Sequence, residues 1–224
     1  MDSPEEYLEK ISRVLESQAD PERAVQQERY MKNKFRYYGL GNPEWRKLAR
    51  TWFRENDIFY GEELVVLVQL AYDWDQREMH YTAVEMVEKA QKKEGPELTD
   101  LLEWMIANNS WWDTVDWISK LVGRQFQKFP EQTLPYTEKW MASGNIWLQR
   151  VAIIFQLGYK ENTDFELMKK YILELSDSKE FFIRKAQGWA LRQYARTAPE
   201  VVSEFVLAHP ELSGLTKREA MKHL

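Results

Sequence analysis

The eight residues from Ser110 to Trp117 combine two carboxylates with three of the ten tryptophans in the chain. Asn109 and Ser110 are residue types that favour helix N-caps, and they predict a helix that opens here and runs on through Val122. Asp113 follows Ser110 by three residues. A carboxylate at that position accepts hydrogen bonds from the free N–H groups of the first turn, so we interpret Asp113 as a structural cap.

Asp116 lies beyond the capping positions and four residues after Trp112. The carboxylate and the indole therefore share one face of the predicted helix. A carboxylate among aromatic side chains is costly unless it is paired, hydrated or functional. The sequence gives Asp116 no structural task, and we interpret it as a candidate functional residue.

A second set of residues that could bind or catalyse is spaced for one stripe of a helix. Lys185, Trp189, Arg192 and Arg196 stand at offsets 0, 4, 7 and 11. Three cations with a tryptophan among them form a good surface for a polyanion, because the cations neutralise phosphates and the indole packs on sugars or bases. The alternative interpretation is a solvated amphipathic helix whose tryptophan covers the core.

These residues belong to a repeat. An aromatic residue opens each of four segments, and three of the four carry a cation at the fourth position, at intervals of 38, 35 and 35 residues: Trp74 to Arg77, Trp112 to Val115, Trp147 to Arg150 and Phe182 to Lys185. Apolar residues recur at helical spacing throughout the chain. We therefore predict an all-α, curved HEAT-like solenoid of one domain, residues 1–224, with a basic and aromatic concave face that includes Arg150 and extends to Arg77.

Composition excludes several classes of function. The chain has no cysteine and only three histidines, far apart, so we expect no metal site. Nucleotide-binding glycine motifs and the nucleophile elbow are absent, and no cofactor is expected. The acidic N-terminus does not resemble a signal peptide, and no apolar run is long enough for a membrane span. We expect a soluble, cytoplasmic, monomeric protein.

The net charge of −5 is unevenly spread along the chain. Residues 1–110 carry 15 basic and 22 acidic residues, a net of −7, and residues 111–224 carry 16 and 14, a net of +2. The total argues mildly against a nucleic-acid partner. Local patches govern the binding of a polyanion, however, so the basic second half keeps that partner open.

The chain resembles the AlkD-type DNA alkylation repair enzymes, the HEAT-like-repeat DNA glycosylases, over almost its whole length. The residues that carry the resemblance are Tyr30 to Asn33, Gly39 to Pro43, Ser110 to Asp116, Asn145 to Arg150, Ser178 to Ile183, Gly188 to Arg192 and Lys217 to Ala220. The resemblance implies excision of positively charged N3- and N7-alkylated purines from double-stranded DNA, without flipping of the lesion into a pocket.

The resemblance also assigns roles to residues. It implies a catalytic cleft of Trp112, Trp189 and Asp116, a bordering Tyr30, and DNA-backbone contacts from arginines, here Arg150 and Arg192. An alkylated purine is already cationic and leaves without a general acid. Asp116 is then expected to stabilise an oxocarbenium-like sugar and to orient water. The alternative is a non-catalytic repeat protein that binds either DNA structures or proteins. The acidic first half favours the protein-interaction form of this alternative.

Overall fold

The computed structural model describes residues 2–222. Within that range the chain forms thirteen α-helices and two 3-10 turns and no β-strand, so the all-α prediction is confirmed. None of these helices is long and apolar enough to cross a bilayer. The helices are α1 (Pro4–Glu16), α2 (Pro21–Tyr30), α3 (Asn42–Glu55), α4 (Gly61–Tyr72), α5 (Arg77–Ala90), α6 (Leu98–Ala107), α7 (Trp112–Lys128), α8 (Thr133–Ala142), α9 (Ile146–Ile154), α10 (Phe165–Glu174), α11 (Phe181–Tyr194), α12 (Pro199–Ala208) and α13 (Gly214–Ala220).

The helices are divided between two compact units, Met1–Glu97 and Leu98–Leu224. The first unit contains α1 to α5, and the second contains α6 to α13. The expectation of one continuous domain with a concave face concerns both units together, and it stays a prediction.

Local capping and an apolar core build the first unit. Ser3 and Glu6 form a capping box at the start of α1, and Asp20 accepts hydrogen bonds from the first N–H groups of α2. Apolar side chains at three- and four-residue spacing cover one face of α1 and of α4, and their burial supplies the main driving force for packing. The buried residues of these two helices include Tyr7, Leu8, Ile11, Leu15, Leu64, Leu67, Val68 and Ala71.

Arg77, the first residue of α5, is fully buried in the first unit. Its guanidinium carbon lies 3.8 Å from the centroid of the Phe35 ring, and its Nη1 donates to Nδ1 of His80 over 2.8 Å. The expectation that Arg77 extends an exposed basic track is therefore wrong. An arginine packs its stem and planar head against aromatic groups when partners are available, and sequence spacing does not reveal those partners.

Glu78 is a buried carboxylate of the first unit, only 1% exposed. It accepts hydrogen bonds from three consecutive backbone N–H groups, those of Tyr38 at 3.1 Å, Gly39 at 3.1 Å and Leu40 at 3.2 Å. Burial raises the pKa of the Glu78 carboxyl, and the backbone hydrogen bonds oppose that shift. Glu78 therefore fastens the segment before α3 to the first turn of α5.

The second unit packs the apolar faces of α6, α7, α9 and α11 on one another. Asn145 caps α9, since its side chain accepts hydrogen bonds from the N–H groups of Trp147 and Leu148. The fully buried residues of these helices include Leu102, Met105, Ile106, Val115, Ile118, Leu121, Val122, Val151, Ile183 and Leu191. This core fixes the position and rotation of each helix.

The start of α7 differs from the sequence expectation. Its first helical residue is Trp112, and Trp111 takes the N-cap position without a side-chain hydrogen bond. Ser110 instead donates to the carbonyl of Ile106 and so satisfies the end of α6. Asp113 lies in the first turn of α7, where a negative charge is favourable.

The repeat has a structural counterpart in the second unit, with the register of α7 shifted by one residue. The sequence motif aligns Val115 with Arg150 and Lys185, whereas position in the helix aligns Asp116 with them. The helices α7, α9 and α11 begin at Trp112, Ile146 and Phe181. Asp116, Arg150 and Lys185 are therefore each the fifth residue of their helix, separated by 34 and 35 residues in sequence. Equivalent positions on neighbouring helices of a repeat project in similar directions, and Asp116 and Arg150 are in direct contact.

Two glycines allow these helices to approach closely. A Cβ atom at Gly123 of α7 would lie 2.4 Å from the carbonyl oxygen of Phe155, the residue that follows α9. A Cβ atom at Gly188 of α11 would lie 2.4 Å from the Cβ of Glu219 in α13. Neither position has room for a side chain, so both close contacts depend on glycine.

Candidate functional site

The centre of the candidate site is a two-point ion pair between Asp116 of α7 and Arg150 of α9. Arg150 Nε donates to Asp116 Oδ1 over 2.8 Å, and Arg150 Nη2 donates to Oδ2 over 2.9 Å. A third donor, Nη1, bonds the carbonyl oxygen of Phe182 over 2.6 Å. Because both oxygens are engaged by a planar guanidinium, the plane and the position of the carboxylate are fixed.

The two partners differ in exposure. Arg150 is 4% exposed, whereas the Asp116 side chain is 22% exposed. The arginine is therefore a buried support, and the carboxylate reaches the surface. The sequence left Asp116 without a structural task, and that expectation is wrong, because its charge compensates a buried guanidinium.

Trp112 lies on α7, the helix of Asp116, and Trp189 lies on α11, which packs against α9. The guanidinium carbon of Arg150 is 5.9 Å from the centroid of the Trp189 ring. Trp112 precedes Asp116 by one turn in α7, and both tryptophans are half-buried. The structure thus brings Asp116, Arg150 and Trp189 together, as the repeat predicted, and it leaves each indole partly open to solvent.

An aromatic cluster that the sequence reasoning missed supports the pair from one side. Trp111 packs edge-on against Trp147 and Phe182, with ring centroids 5.5 and 5.2 Å apart, and Trp147 and Phe182 lie 4.9 Å from each other. The Phe182 ring also lies 5.8 Å from the guanidinium carbon of Arg150. The signal was present in the sequence, since each of these residues is at or next to the start of a repeat helix.

Phe181 adds an exposed aromatic ring beside this cluster. It is the first residue of α11, it is 57% exposed, and its ring centroid lies 5.3 Å from that of Phe182. Such a ring offers an apolar surface beside this cluster.

Lys185 and Arg192 converge on a carboxylate that the sequence analysis did not consider. Lys185 Nζ lies 2.9 Å from Oε1 of Glu219, and Arg192 Nη1 lies 2.6 Å from its Oε2. These hydrogen bonds and charges lower the pKa of Glu219. The stripe on α11 is therefore real, but two of its cations share one internal anion.

Arg196 and Tyr30 are the two remaining residues that the sequence analysis selected. Arg196 follows α11, is exposed, and lines a cavity of about 260 Å³ together with Lys160 and Gln193. Tyr30 is 70% exposed at the end of α2, in the first unit. Shortly after Tyr30, Lys32 and Asn33 adopt left-handed backbone conformations, with φ angles of 59° and 54°.

The chemistry available here is electrostatic. Asp116 presents a negative charge of fixed orientation, with an indole surface on its own helix and another on α11. Such a group stabilises a positive charge that develops in front of it and orients a water molecule. Within residues 2–222, no three carboxylate, histidine or cysteine side chains are grouped closely enough to hold a metal ion.

Comparison with known proteins gives this chemistry a context. The family model described as DNA alkylation repair enzyme matches residues 11–224. A solved structure described as a predicted DNA alkylation repair enzyme from Enterococcus faecalis is 31% identical, with a TM-score of 0.85 over 92% of this chain and 97% of that chain. No curated protein sequence matches significantly.

Two more distant structures share the fold. AlkD2 from Streptococcus mutans is 21% identical with a TM-score of 0.62, over 83% of this chain and 91% of that chain. The smu.31 protein from Streptococcus mutans UA159 is 18% identical with a TM-score of 0.63, over 97% and 99%. These matches confirm the helical-repeat fold. The matched length and the identity to the Enterococcus structure together show that this chain belongs to the DNA alkylation repair enzyme family.

Proposed function

We propose that this protein is a DNA glycosylase that excises positively charged N3- and N7-alkylated purines from double-stranded DNA. The observation that carries the proposal is the Asp116 carboxylate, partly exposed and held at both oxygens by the buried Arg150. Family membership supports a role in DNA alkylation repair. The proposal adds the bond that is broken and the residues that break it.

The reaction needs one carboxylate and no general acid. The bond between C1′ and the purine nitrogen breaks, and its electron pair neutralises the cationic base, which leaves. The sugar becomes an oxocarbenium-like cation, which Asp116 stabilises. Water then bonds to C1′ and releases a proton to the solvent, so the products are the free base, an abasic site and one proton.

The tryptophans and Arg150 prepare this step. The π faces of Trp112 and Trp189 favour a cationic sugar over a neutral one. Arg150 acts as a positioning residue, because its Nε and Nη2 hold Asp116 and its Nη1 is bonded to Phe182. The expected phosphate contact of Arg150 is an untested prediction, and the burial of Arg150 favours this positioning role instead.

The remaining predicted residues are assigned to the DNA backbone. Lys185, Arg192 and Arg196 supply the cations of α11 and its C-terminal end, and Tyr30 supplies an exposed ring in the first unit. Phosphate contacts supply most of the sequence-independent affinity for duplex DNA. The resemblance adds that the lesion stays in the duplex and is not flipped into a pocket.

The test is release of the base from a duplex that contains a single 7-methylguanine, under single-turnover conditions, with direct detection of 7-methylguanine and of the abasic strand. The proposal requires both products in equal amounts. Binding without release would instead support a non-catalytic DNA-binding repeat protein. Neither binding nor release would support a protein-interaction role.

A further inference from the structure

Glu219 is a carboxylate of the second unit that forms ion pairs with two cations. It lies in α13 and contacts two cations on α11, Lys185 at 2.9 Å and Arg192 at 2.6 Å. Those cations stand four residues before and three residues after Trp189. The charges of the three groups sum to +1, whereas the two cations alone carry +2.

The position of Glu219 is set by the packing of α13 on α11. Gly188 leaves no room for a side chain, so the Cβ of Glu219 rests directly against the α11 backbone. Thr216, one turn earlier, is fully buried and donates to Gln187 Oε1 at 2.9 Å. The packing of α13 on α11 thus holds the Glu219 carboxylate next to the two cations.

Stability alone does not explain this arrangement. The side chains of Lys185, Arg192 and Glu219 are 37%, 23% and 17% exposed, so all three reach the surface. Partly exposed ion pairs of this kind contribute little to folding. The hydrogen bond from Lys185 and the charges of Lys185 and Arg192 lower the pKa of Glu219, which favours the charged form that a competitor for cations requires.

We propose that Glu219 competes with the DNA backbone for the same cations. In the free protein it forms ion pairs with Lys185 and Arg192, and a phosphate must displace it before these cations bind the duplex. This inference rests on the proposed function and deepens it, since it concerns how DNA reaches the same surface. A carboxylate that must be displaced lowers the affinity for undamaged DNA and so limits non-specific binding.

The experiment compares Glu219→Gln with Glu138→Gln and the parent. Glu138 of α8 pairs with Lys170 of α10 at 2.9 Å on the surface of the same unit, so its variant makes the same change in net charge at a pair that includes no residue of α11. Affinity for an undamaged duplex is measured from low to high salt, and retention on heparin is measured beside it. Circular dichroism melts verify folding, and Glu219→Ala, which keeps the Cβ against Gly188, serves if the glutamine variant does not fold.

The expected result is a steeper salt dependence in Glu219→Gln by roughly one released ion, which corresponds to roughly eightfold tighter binding at 0.1 M salt and to no gain near 1 M. Glu138→Gln should change the affinity by less than about twofold, because it alters only the screened total charge. The single-turnover rate of base release at saturating protein should stay at the parent level in both variants.

Two outcomes would overturn the inference. Equal affinities in the two variants would mean that Glu219 does not compete with phosphates. Weaker binding in Glu219→Gln would mean that Glu219 organises the cations for DNA. Heparin retention keeps this test separate from the proposed function, because a parent protein that neither binds duplex nor releases base would still show whether Glu219 withholds the cations from a polyanion.

Discussion

The two units use a carboxylate near the start of a helix in opposite ways. Glu78, the second residue of α5, is 1% exposed and accepts three backbone N–H groups of its own unit. Asp116, the fifth residue of α7, has a side chain that is 22% exposed and is held by one guanidinium. The Glu78 carboxylate is closed off from solvent, whereas the Asp116 carboxylate is partly exposed to it.

This difference separates a structural carboxylate from a candidate catalytic one. Backbone N–H groups that point at a buried oxygen satisfy it completely and leave nothing to act on a ligand. A guanidinium that binds both oxygens from one side fixes the group and leaves the opposite side to solvent. The comparison predicts that loss of Glu78 weakens the fold, and that loss of Asp116 also removes activity.

The largest effect is expected for Asp116→Asn. Loss of the negative charge should slow single-turnover release of 7-methylguanine by roughly a hundredfold or more, because the cationic transition state loses its counter-charge. The variant should also lose about 2 kcal/mol of stability, since asparagine turns one N–H donor toward the buried Arg150. Urea unfolding and the excision assay measure the two effects, and a parental rate in a folded variant would exclude Asp116 from the mechanism.

Glu78→Gln should act on stability alone. One backbone N–H then faces an amide nitrogen, and a buried donor without its acceptor costs about 1–3 kcal/mol. The rate of base release at a temperature where the variant is folded should equal that of the parent. A large loss of rate in a fully folded Glu78→Gln protein would contradict the division of roles between the two carboxylates.

The pH dependence of stability tests Glu78 further. Burial raises its pKa above the ordinary value of 4.5, so the native state keeps a proton that the unfolded chain releases. The stability contributed by this group is therefore full below about pH 4.5 and falls as the pH rises from there through the raised native pKa. Urea unfolding at several pH values should show the parent losing stability relative to Glu78→Gln across that window. A difference in the free energy of unfolding that stays constant with pH would contradict this prediction.

Alanine substitutions of Arg150 and Arg192 should have different effects on the salt dependence of DNA binding. Arg192→Ala is expected to reduce the slope of log affinity against log salt by roughly one, as for a lost phosphate contact. Arg150→Ala should leave that slope unchanged and should reduce base release, because Arg150 is buried and holds Asp116. Equal slope changes in both variants would show that Arg150 turns outward to bind DNA.

The smallest effect is expected for Asp113→Asn, the matched control for Asp116→Asn. Asp113 lies in the first turn of α7, three residues from Asp116, and the substitution makes the same change of charge. It should cost at most about 1 kcal/mol of stability through the weaker interaction with the helix end. Base release should stay close to the parental rate. A deep loss of activity would place Asp113 in the site.

The sequence predicted what depends on local periodicity. The helices follow the three- and four-residue spacing of apolar side chains, and the 35-residue repeat placed Asp116, Arg150 and Trp189 on neighbouring helices. Recurrence of this kind determines which residues project the same way, because each repeat packs on the next in the same manner.

Long-range partners could not be predicted in this way. Arg77 and Arg150 share a position in the sequence motif, yet Arg77 is the first residue of α5 and Arg150 the fifth of α9. Arg77 is buried against Phe35 and His80, and Arg150 against Asp116 and Phe182. Glu219 reaches Lys185 from a helix 34 residues away in sequence. Each of these pairings depends on which helix packs alongside, and a single sequence shows the cations without their partners.

The shared fifth position of Asp116, Arg150 and Lys185 has a consequence for how this chain tolerates insertions and deletions. Residues added to the loops that precede α7, α9 and α11 change the chain length between these groups but not their distance from the start of the helix. One residue inserted within the first turn of α7 would instead rotate Asp116 by about 100° around the helix axis, away from Arg150. Insertions and deletions should therefore accumulate in the loops between helices, whereas the first turns of these three helices should keep a constant number of residues.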